Sequence, residues 1–302
     1  MERVEYDEFG LFHENAEEFG LPYEGPPTVR RESVEVGPDR RLSALVWGES
    51  EPEVVLLHGG SQNAHTWDTV AMALGRPLLA VDLPGHGHSD GPRNDVGGVR
   101  DHAADVATVI EALAPAARGV VGMSLGGLTS LALADSRPDL VPKLVLVDVT
   151  PGVDKDKAAP IIAFVNGPAT FDSFDEILAR TIEFNPTRSE ASLRRGILHN
   201  AVQQEDGTWV WRWARFRQPA PEGAPPAVAP DFDDLWEAVS RLSMPVMLVR
   251  GMATGTVVGD EDEAELLRRS PGARVEKVGG AGHSVQGDKP LELAALIDDF
   301  IP

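Results

Sequence analysis

Cysteine is absent from this sequence of 302 residues, which excludes disulfide bonds, thiolate metal sites and a cysteine nucleophile. Long apolar runs are missing too. No stretch reaches the roughly 18 consecutive apolar residues that a membrane-spanning helix requires. The first residues also lack the basic and then apolar pattern of a secretory signal. We therefore expect a cytoplasmic protein without a membrane partner.

Positive charge is scarce, because 27 Lys and Arg residues stand against 48 Asp and Glu, a formal net charge of −21. Such an excess of acid repels phosphate backbones, so we expect no nucleic-acid partner. The apolar fraction of 42% is ample for the buried core of one large domain, or of a core with an insertion. The composition leaves the oligomeric state open, and a homodimer is compatible with it.

Short apolar segments alternate with helical patterns along most of the chain. Strand patterns fall at 33–36, 42–47, 54–57, 77–81, 119–121, 143–148, 246–250 and 274–278. Strands that alternate with helices predict an α/β fold with a mostly parallel sheet of eight strands, covered by helices on both faces.

The alternation stops between residues 150 and 242, where helical pieces and aromatic residues predominate. We interpret 150–242 as an inserted, mainly helical cap between two parts of one core, 31–149 and 243–302. Residues 1–30 are acidic but are interrupted by aromatic side chains, unlike a simple disordered tail. We expect this N-terminal extension to dock on the body; a flap over the active site or a dimer contact is the alternative.

One pentapeptide, Gly122-Met-Ser124-Leu-Gly126, matches the pattern G-x-S-x-G. A short β-branched run precedes it, and small apolar residues with a helical pattern follow at 127–134. A serine on such a strand-to-helix turn is forced into strained backbone angles that only very small neighbours allow. The setting predicts that Ser124 is an exposed nucleophile; without that setting the motif would be an ordinary turn.

With three further motifs in matching order, the chain resembles the α/β-hydrolase superfamily, in its cap-bearing branch. The resemblance covers about residues 32–149 and 243–302, whereas the cap matches nothing specific, so it leaves the substrate open. The motifs are His58-Gly-Gly, Pro84-Gly-His-Gly-His-Ser, the Ser124 turn and Gly279-Gly-Ala-Gly-His283.

A serine hydroxyl is a poor nucleophile at neutral pH and needs a base within hydrogen-bond reach. By its position in the resemblance, His283 is that base, because it follows the last strand and a glycine-rich turn. Attack on a carbonyl also builds negative charge on its oxygen, which backbone N–H groups stabilise. The resemblance implies that Gly60 and Leu125 supply those groups, and that His58 braces the loop that carries Gly60.

Two residues are candidates for the acid that orients the base. In most of the superfamily it follows the seventh strand, where this chain has Thr254. The nearby Asp260 is better explained as part of the first turn of the next helix. Asp148 ends the sixth strand at the carboxyl edge of the sheet, where ligand chemistry gathers. We therefore expect Asp148 to be the acid, with Asp260 as the alternative.

Three further side chains, His65, Trp67 and Trp211, are candidates for a substrate pocket. Packing beneath or within the cap explains each of them equally well. His86-x-His88 could in principle hold a metal, but no carboxylate motif accompanies it. We expect neither a metal nor a cofactor.

The resemblance and these residues together predict a serine hydrolase that cleaves a small carboxylic ester or lactone through an acyl-enzyme. Two alternatives remain open. The same triad serves carbon–carbon bond hydrolysis of diketone-type substrates in related capped enzymes, and a receptor-like relative would bind its ligand with negligible turnover. A panel of esters, lactones and diketones distinguishes the three.

Overall fold

The computed structural model describes residues 4–93, 98–152, 155–216 and 232–302. The helices are α1 (Phe12–Phe19), α2 (Asp68–Leu74), α3 (Val99–Leu113), α4 (Leu125–Ser136), α5 (Lys155–Val165), α6 (Phe174–Phe184), α7 (Glu190–Asn200), α8 (Asp233–Arg241), α9 (Asp260–Arg269), α10 (Val285–Asp288) and α11 (Pro290–Phe300). The strands are β1 (Val29–Gly37), β2 (Arg40–Trp47), β3 (Val54–Leu57), β4 (Leu78–Val81), β5 (Gly119–Met123), β6 (Leu144–Val147), β7 (Thr170–Phe171), β8 (Ala201–Gln203), β9 (Trp209–Trp211), β10 (Val246–Gly251) and β11 (Arg274–Val278).

Eight of these strands form one sheet in the order β1-β2-β4-β3-β5-β6-β10-β11. The pairs β1–β2 and β2–β4 are antiparallel, and every other pair is parallel. The predicted α/β fold, with a mostly parallel eight-stranded sheet, is thus confirmed. Parallel strands align their carboxyl ends along one edge, so β3, β5, β6 and β10 deliver the residues that follow them to the same place.

Side chains of the central strands alternate between two apolar layers, one on each face of the sheet. In β3, Val55 and Leu57 belong to one layer, whereas Val54 and Leu56 belong to the other. This follows from the two-residue period of a strand. Helices α3 and α4 cover the first layer, and α2 and α11 cover the second. Burial of one such Val or Leu side chain contributes about 1.5–3 kcal/mol to the free energy of unfolding.

Within the described residues, the stretch between β6 and β10 contains helices α5 to α8, of which α5, α6 and α7 fall where the pattern indicates helix, and also a separate antiparallel sheet in the order β7-β9-β8. This small sheet was not predicted, because its strands of two or three residues are too short to show an alternation. Its aromatic side chains form a third apolar cluster. Helix α8 differs from its neighbours, since Leu235 and Val239 pack into the main core. The cap boundaries at 150 and 242 stay a prediction, and 153–154 and 217–231 lie outside the described residues.

The N-terminal segment lies across both parts of the molecule. Phe12 is buried and its ring meets that of Trp47 on β2 at a centroid distance of 5.1 Å. Six residues earlier, the hydroxyl of Tyr6 lies 2.8 Å from Nδ1 of His199, which belongs to α7. None of the helices in the described ranges is both long and apolar enough to cross a membrane.

Helix α4 packs unusually close to the sheet through two glycines. A Cβ on Gly126 would lie 2.2 Å from the carbonyl oxygen of Leu57, at the end of β3. One on Gly122 would lie 2.4 Å from the carbonyl oxygen of Gly126 itself. Real Cβ atoms do not approach backbone oxygens this closely, so both positions require glycine, as the motif indicated.

Replacement of Gly126 by alanine should therefore force the helix away from β3 and lower the free energy of unfolding by about 1–3 kcal/mol or more. Gly196 is the matched control, because it is an exposed helical glycine with no atom within 4 Å of an added Cβ. Gly196→Ala should raise stability by about 0.5–1 kcal/mol. Urea unfolding of both variants measures the difference; equal effects would contradict this account of the packing.

Candidate active site

Ser124 occupies the turn between β5 and α4. Its backbone angles are φ 51° and ψ −119°, and its carbonyl accepts the first hydrogen bond of the helix from Leu128, at 3.0 Å. Its own N–H donates to the carbonyl of Val147 at the end of β6, at 3.3 Å. The strained turn expected for a nucleophilic serine is therefore present, and it adjoins the end of the neighbouring strand.

Backbone strain gathers at this edge of the sheet. Within the described ranges, the non-glycine residues with positive φ are Asp39, Ser61, Ser124 and Asp148. All but Asp39 follow the carboxyl ends of β3, β5 and β6. Each such residue costs about 1–3 kcal/mol and persists only where its surroundings hold it in place. Strain of this kind is typical of active sites.

The carboxylate of Asp148 is fully buried and accepts four hydrogen bonds. Oδ1 accepts from the N–H of Gly251 at 3.0 Å and from the hydroxyl of Thr256 at 2.6 Å. Oδ2 accepts from the N–H of Val257 at 3.1 Å and faces Nδ1 of His283 at 2.9 Å. These donors satisfy a charge whose burial would otherwise be costly.

This arrangement settles which nitrogen of His283 carries the proton in the neutral ring. An ionised carboxylate only accepts hydrogen bonds, so Nδ1 donates to Asp148 and Nε2 keeps its lone pair. Neither Nε2 of His283 nor the Ser124 hydroxyl has a hydrogen-bond partner among the residues described. Contacts between a catalytic serine and its base are often long in ligand-free structures and tighten when substrate binds.

The alternative acid, Asp260, lies elsewhere. It is the first residue of α9, its side chain is 91% exposed, and it pairs with Arg250 at 3.0 Å. Thr254 is not among the residues that hydrogen-bond Asp148, and it is Thr256, two residues later, whose hydroxyl bonds the carboxylate. The loop after β10 thus supplies donors to an acid that comes from β6.

The loop after β3 faces the serine turn directly. A Cβ added to Gly59 would lie 3.3 Å from Cβ of Ser124, and one added to Gly60 would meet no atom within 4 Å. Leu125 is the first residue of α4, where a backbone N–H has no partner within the helix. Gly60 and Leu125 therefore lie on the two segments that meet at Ser124.

Two histidines, the fully buried His58 and the half-buried His86, hold this loop. Nδ1 of His58 lies 2.7 Å from the carbonyl of Gly59, and its Nε2 accepts from the N–H of Leu83 at 2.9 Å. Nε2 of His86 accepts from the N–H of Ser61 at 3.1 Å. Burial lowers the pKa of both rings, that of His58 to about 3, so each stays neutral with one donor and one acceptor.

The candidate pocket residues are all buried. Trp67 is fully buried in the core layer beneath α2 and α11. Trp211 lies in the third apolar cluster, stacked on Trp213 at a centroid distance of 6.2 Å. His65 contacts Asp68 through Nδ1 at 2.9 Å and Glu8 through Nε2 at 3.1 Å. Packing and ion pairing account for these three side chains in this structure.

Three groups in this region resemble a metal site in composition. The nitrogen and oxygen atoms of His65, Asp68 and His199 lie within 4.8 Å of one another. However, the two imidazole rings are stacked, 3.9 Å apart and within 10° of parallel. A metal binds an imidazole in the plane of the ring at about 2.0–2.1 Å, and the planes of two rings stacked in this way meet only far beyond that distance. The cluster is therefore an ion-pair network rather than a preformed metal site.

Comparison with known proteins agrees with the geometry. A model of the alpha/beta hydrolase family matches residues 54–296. The chain belongs to the alpha/beta hydrolase family. Esterase Rv0045c of Mycobacterium tuberculosis is 46% identical over 299 residues, covering 96% of this chain and 94% of that protein. Its crystal structure matches with a TM-score of 0.81 at 45% identity, covering 99% of both chains.

More distant members of the alpha/beta hydrolase family are also similar. The sn-1-specific diacylglycerol lipase ABHD11 of Xenopus laevis is 31% identical over 83% of this chain and 80% of that protein. A crystal structure of E-2-(acetamidomethylene)succinate hydrolase matches with a TM-score of 0.75 at 25% identity, covering 91% of this chain and 99% of that one. Because the chain belongs to this family and a named esterase matches it over nearly its full length, the protein is an enzyme, a hydrolase of the ester-cleaving type.

Two residues of the site, Thr256 and His86, were not predicted from the sequence in the roles that they have in the structure. Thr256 showed no signal, because a threonine in a loop has no motif that marks it as a donor. His86 was singled out only as a weak metal candidate, although its glycine-rich turn after β4 places it beside the loop that follows β3. Thr256 bonds a residue that follows β6, and His86 bonds a residue that follows β3. Sequence spacing alone does not reveal such contacts between segments that follow different strands.

The network around His65 predicts a pH dependence of stability. Burial alone would lower the pKa of His65, but the carboxylates of Asp68 and Glu8 raise it from 6.5 to about 9 against the opposing charge of Arg31. Because the folded-state pKa lies above the unfolded one, the stabilisation is complete below pH 6.5 and is lost as the pH rises through 9. This interval corresponds to roughly 3 kcal/mol.

Urea unfolding at pH 6 and pH 9.5 should therefore show a larger loss for the wild type than for His65→Gln, by about 1–3 kcal/mol. His13→Gln, which removes an exposed histidine from α1, serves as the control and should behave like the wild type. An identical pH dependence in the His65 variant would show that the ring carries no extra proton in the folded state.

Proposed function

We propose that this protein is a cofactor-independent serine hydrolase that cleaves a small carboxylic ester or lactone through an acyl-enzyme. Ser124 is the nucleophile, His283 the general base and acid, and Asp148 the residue that orients His283. The backbone N–H groups of Gly60 and Leu125 form the oxyanion hole.

The reaction follows from these positions. Nε2 of His283 accepts the proton of the Ser124 hydroxyl as its oxygen attacks the ester carbonyl. The carbonyl oxygen becomes negative and lies between the N–H groups of Gly60 and Leu125, where fixed dipoles stabilise it. The alcohol then leaves with the proton from His283. A water molecule, deprotonated by the same ring, hydrolyses the acyl-serine and regenerates the hydroxyl.

The contact between Asp148 and His283 is the observation that carries the proposal. It fixes the proton on Nδ1 and leaves Nε2 as the acceptor, which is the tautomer that this chemistry needs. The strained backbone of Ser124 supports the same assignment. The esterase and lipase relatives favour ester cleavage over the diketone and receptor alternatives. Residues 150–242 act as the cap that shapes the acyl or alcohol pocket.

Replacement of Ser124 by alanine should abolish hydrolysis of short-chain aryl esters and lactones, and also labelling by a fluorophosphonate. Loss of one member of such a triad typically lowers kcat by on the order of 10⁴ to 10⁶. Circular dichroism and urea unfolding serve as the check on the fold. More than about a tenth of wild-type turnover in the variant would exclude the acyl-enzyme, and turnover of diketones alone would select carbon–carbon cleavage.

Asp148→Asn and Asp260→Asn form a matched pair, because each removes one negative charge at the same edge of the sheet. Asp148→Asn should lower kcat by roughly 10³ to 10⁴, since the amide favours the wrong tautomer of His283. Asp260→Asn should leave kcat within a fewfold and change stability little, because the side chain is exposed. Steady-state kinetics of both variants decide the assignment, and the reverse ranking would place the acid after β10.

A further inference from the structure

The oxyanion loop, defined here as residues 58–63, contains Gly60, whose backbone has more conformational freedom than that of a residue with a side chain. An added Cβ at Gly60 would meet no atom within 4 Å, and glycine has no side chain of its own to restrict φ and ψ. The next residue, Ser61, has φ 58°, a left-handed conformation that a serine adopts only when held. If Ser61 relaxed, the peptide that joins it to Gly60, which carries the Gly60 carbonyl and the Ser61 N–H, would rotate. Because Gly60 has no side chain, its own φ and ψ would follow, and the preceding peptide, which carries the Gly60 N–H, would turn with them. The direction of the Gly60 N–H therefore depends on what holds Ser61.

Both backbone groups of Ser61 are held by side chains from outside the loop. Its N–H donates to Nε2 of His86 at 3.1 Å. Its carbonyl accepts a hydrogen bond of 2.5 Å from Nδ2 of Asn200, the last residue of α7. His86 belongs to the core of the enzyme, whereas Asn200 lies in the segment between β6 and β10. One of the two supports of Ser61 thus comes from the predicted cap.

The orientation of the Asn200 amide is fixed by partners whose roles are unambiguous. The Ser61 carbonyl can only accept, so the atom facing it is the Nδ2 donor. Asn63 of the same loop provides a second contact, because its Nδ2 lies 3.4 Å from Oδ1 of Asn200 and 2.9 Å from the carbonyl of His199. Oδ1 of Asn63 accepts from the backbone N–H of His65 at 3.0 Å, which fixes that amide as well.

The N-terminal segment also holds the end of α7 in place. The His199 ring contacts the Tyr6 hydroxyl at 2.8 Å, and the N–H of Val4 donates to Oε1 of Gln203 at 2.9 Å. The N-terminal segment and the oxyanion loop therefore meet the same few residues at the junction of α7 and β8. A displacement of this junction would withdraw Asn200 from Ser61.

We propose that Asn200 is a positioning residue for the oxyanion hole, supplied by the segment between β6 and β10. It touches neither substrate nor reacting atoms, and acts by holding Ser61 so that the Gly60 N–H points at the developing oxyanion. The oxyanion hole is complete only while the end of α7 is seated on the loop. This inference rests on the proposed function, because it assigns a role within the same acyl-transfer site.

The sharpest variant is Asn200→Asp. The carboxylate keeps an acceptor for Asn63 but loses the donor to Ser61 and places a negative oxygen against its carbonyl. Because misplacement of a catalytic group by about 1 Å can cost on the order of 10²-fold, we expect kcat for a short aryl ester to fall about 10- to 100-fold. KM should stay within about threefold, since the hydrogen bond to the oxyanion strengthens only in the transition state.

Asn185→Asp is the matched control. Asn185 lies at the C-terminal end of α6 in the same segment, and its Nδ2 donates to the carbonyl of Thr181 at 2.8 Å. The two substitutions carry the same charge change at a helix end and the same loss of a donor to a backbone carbonyl. Only Asn200 contacts the oxyanion loop, so the control should keep kcat within about twofold.

The decisive readout is binding of an alkyl trifluoromethyl ketone, which forms a tetrahedral adduct with a catalytic serine. Its affinity should fall in Asn200→Asp by the same factor as kcat, be lowered less in Asn200→Ala, and recover partly in Asn200→Gln, which retains the amide donor. Affinity within twofold of the wild type in all three variants would overturn the inference. Failure of the wild type itself to bind the ketone would instead refute the proposed acyl-enzyme function.

Discussion

A carboxylate buried at the carboxyl end of β6 is the constraint on which the site depends. Asp148 has no exposed surface, so its charge is stable only while its donors remain in place. Those donors come from the last residue of β10, from the loop that follows it and from His283 beyond β11. One residue therefore ties three neighbouring strands together and fixes the direction of the imidazole.

The same edge of the sheet concentrates strain at the proposed nucleophile, at the proposed acid and at one residue of the oxyanion loop. Ser61, Ser124 and Asp148 all hold positive φ, which is unfavourable for residues that carry a side chain. Each follows a short, fully buried strand, and the packed layers on both faces of the sheet prevent these strands from shifting. The apolar core thus provides the rigidity that keeps the strained residues in position.

Much of this was readable from the sequence, because the strong signals are local. The turn around Ser124 and the helix after it lie within fifteen residues, and the apolar composition of the short central strands predicts them directly. Asp148 could be singled out because a buried strand ends in an acid. The hydrogen bond from Thr256 to Asp148 and the contact of Asn200 with Ser61 could not be predicted, since each joins segments more than a hundred residues apart.

Less of the structure could be predicted between β6 and β10. The mainly helical character of this segment was predicted, but helix α8 and the small sheet β7-β9-β8 were not, because strands of two or three residues give no period. Tertiary packing, chiefly of Trp209 and Trp211, decides that structure rather than local propensity. Under the proposed function this segment selects the substrate, and it carries no recognisable motif. Sequence and fold together therefore indicate the type of reaction but not the substrate.

The central claim is that acyl transfer proceeds through Ser124, and rapid-quench mass spectrometry tests it most directly. The enzyme is mixed with an excess of an activated aryl ester, quenched within the first turnover and digested. The account predicts a burst of released alcohol and an acyl group on the peptide that contains Ser124. Steady turnover without any adduct, or an adduct confined to another residue, would contradict it.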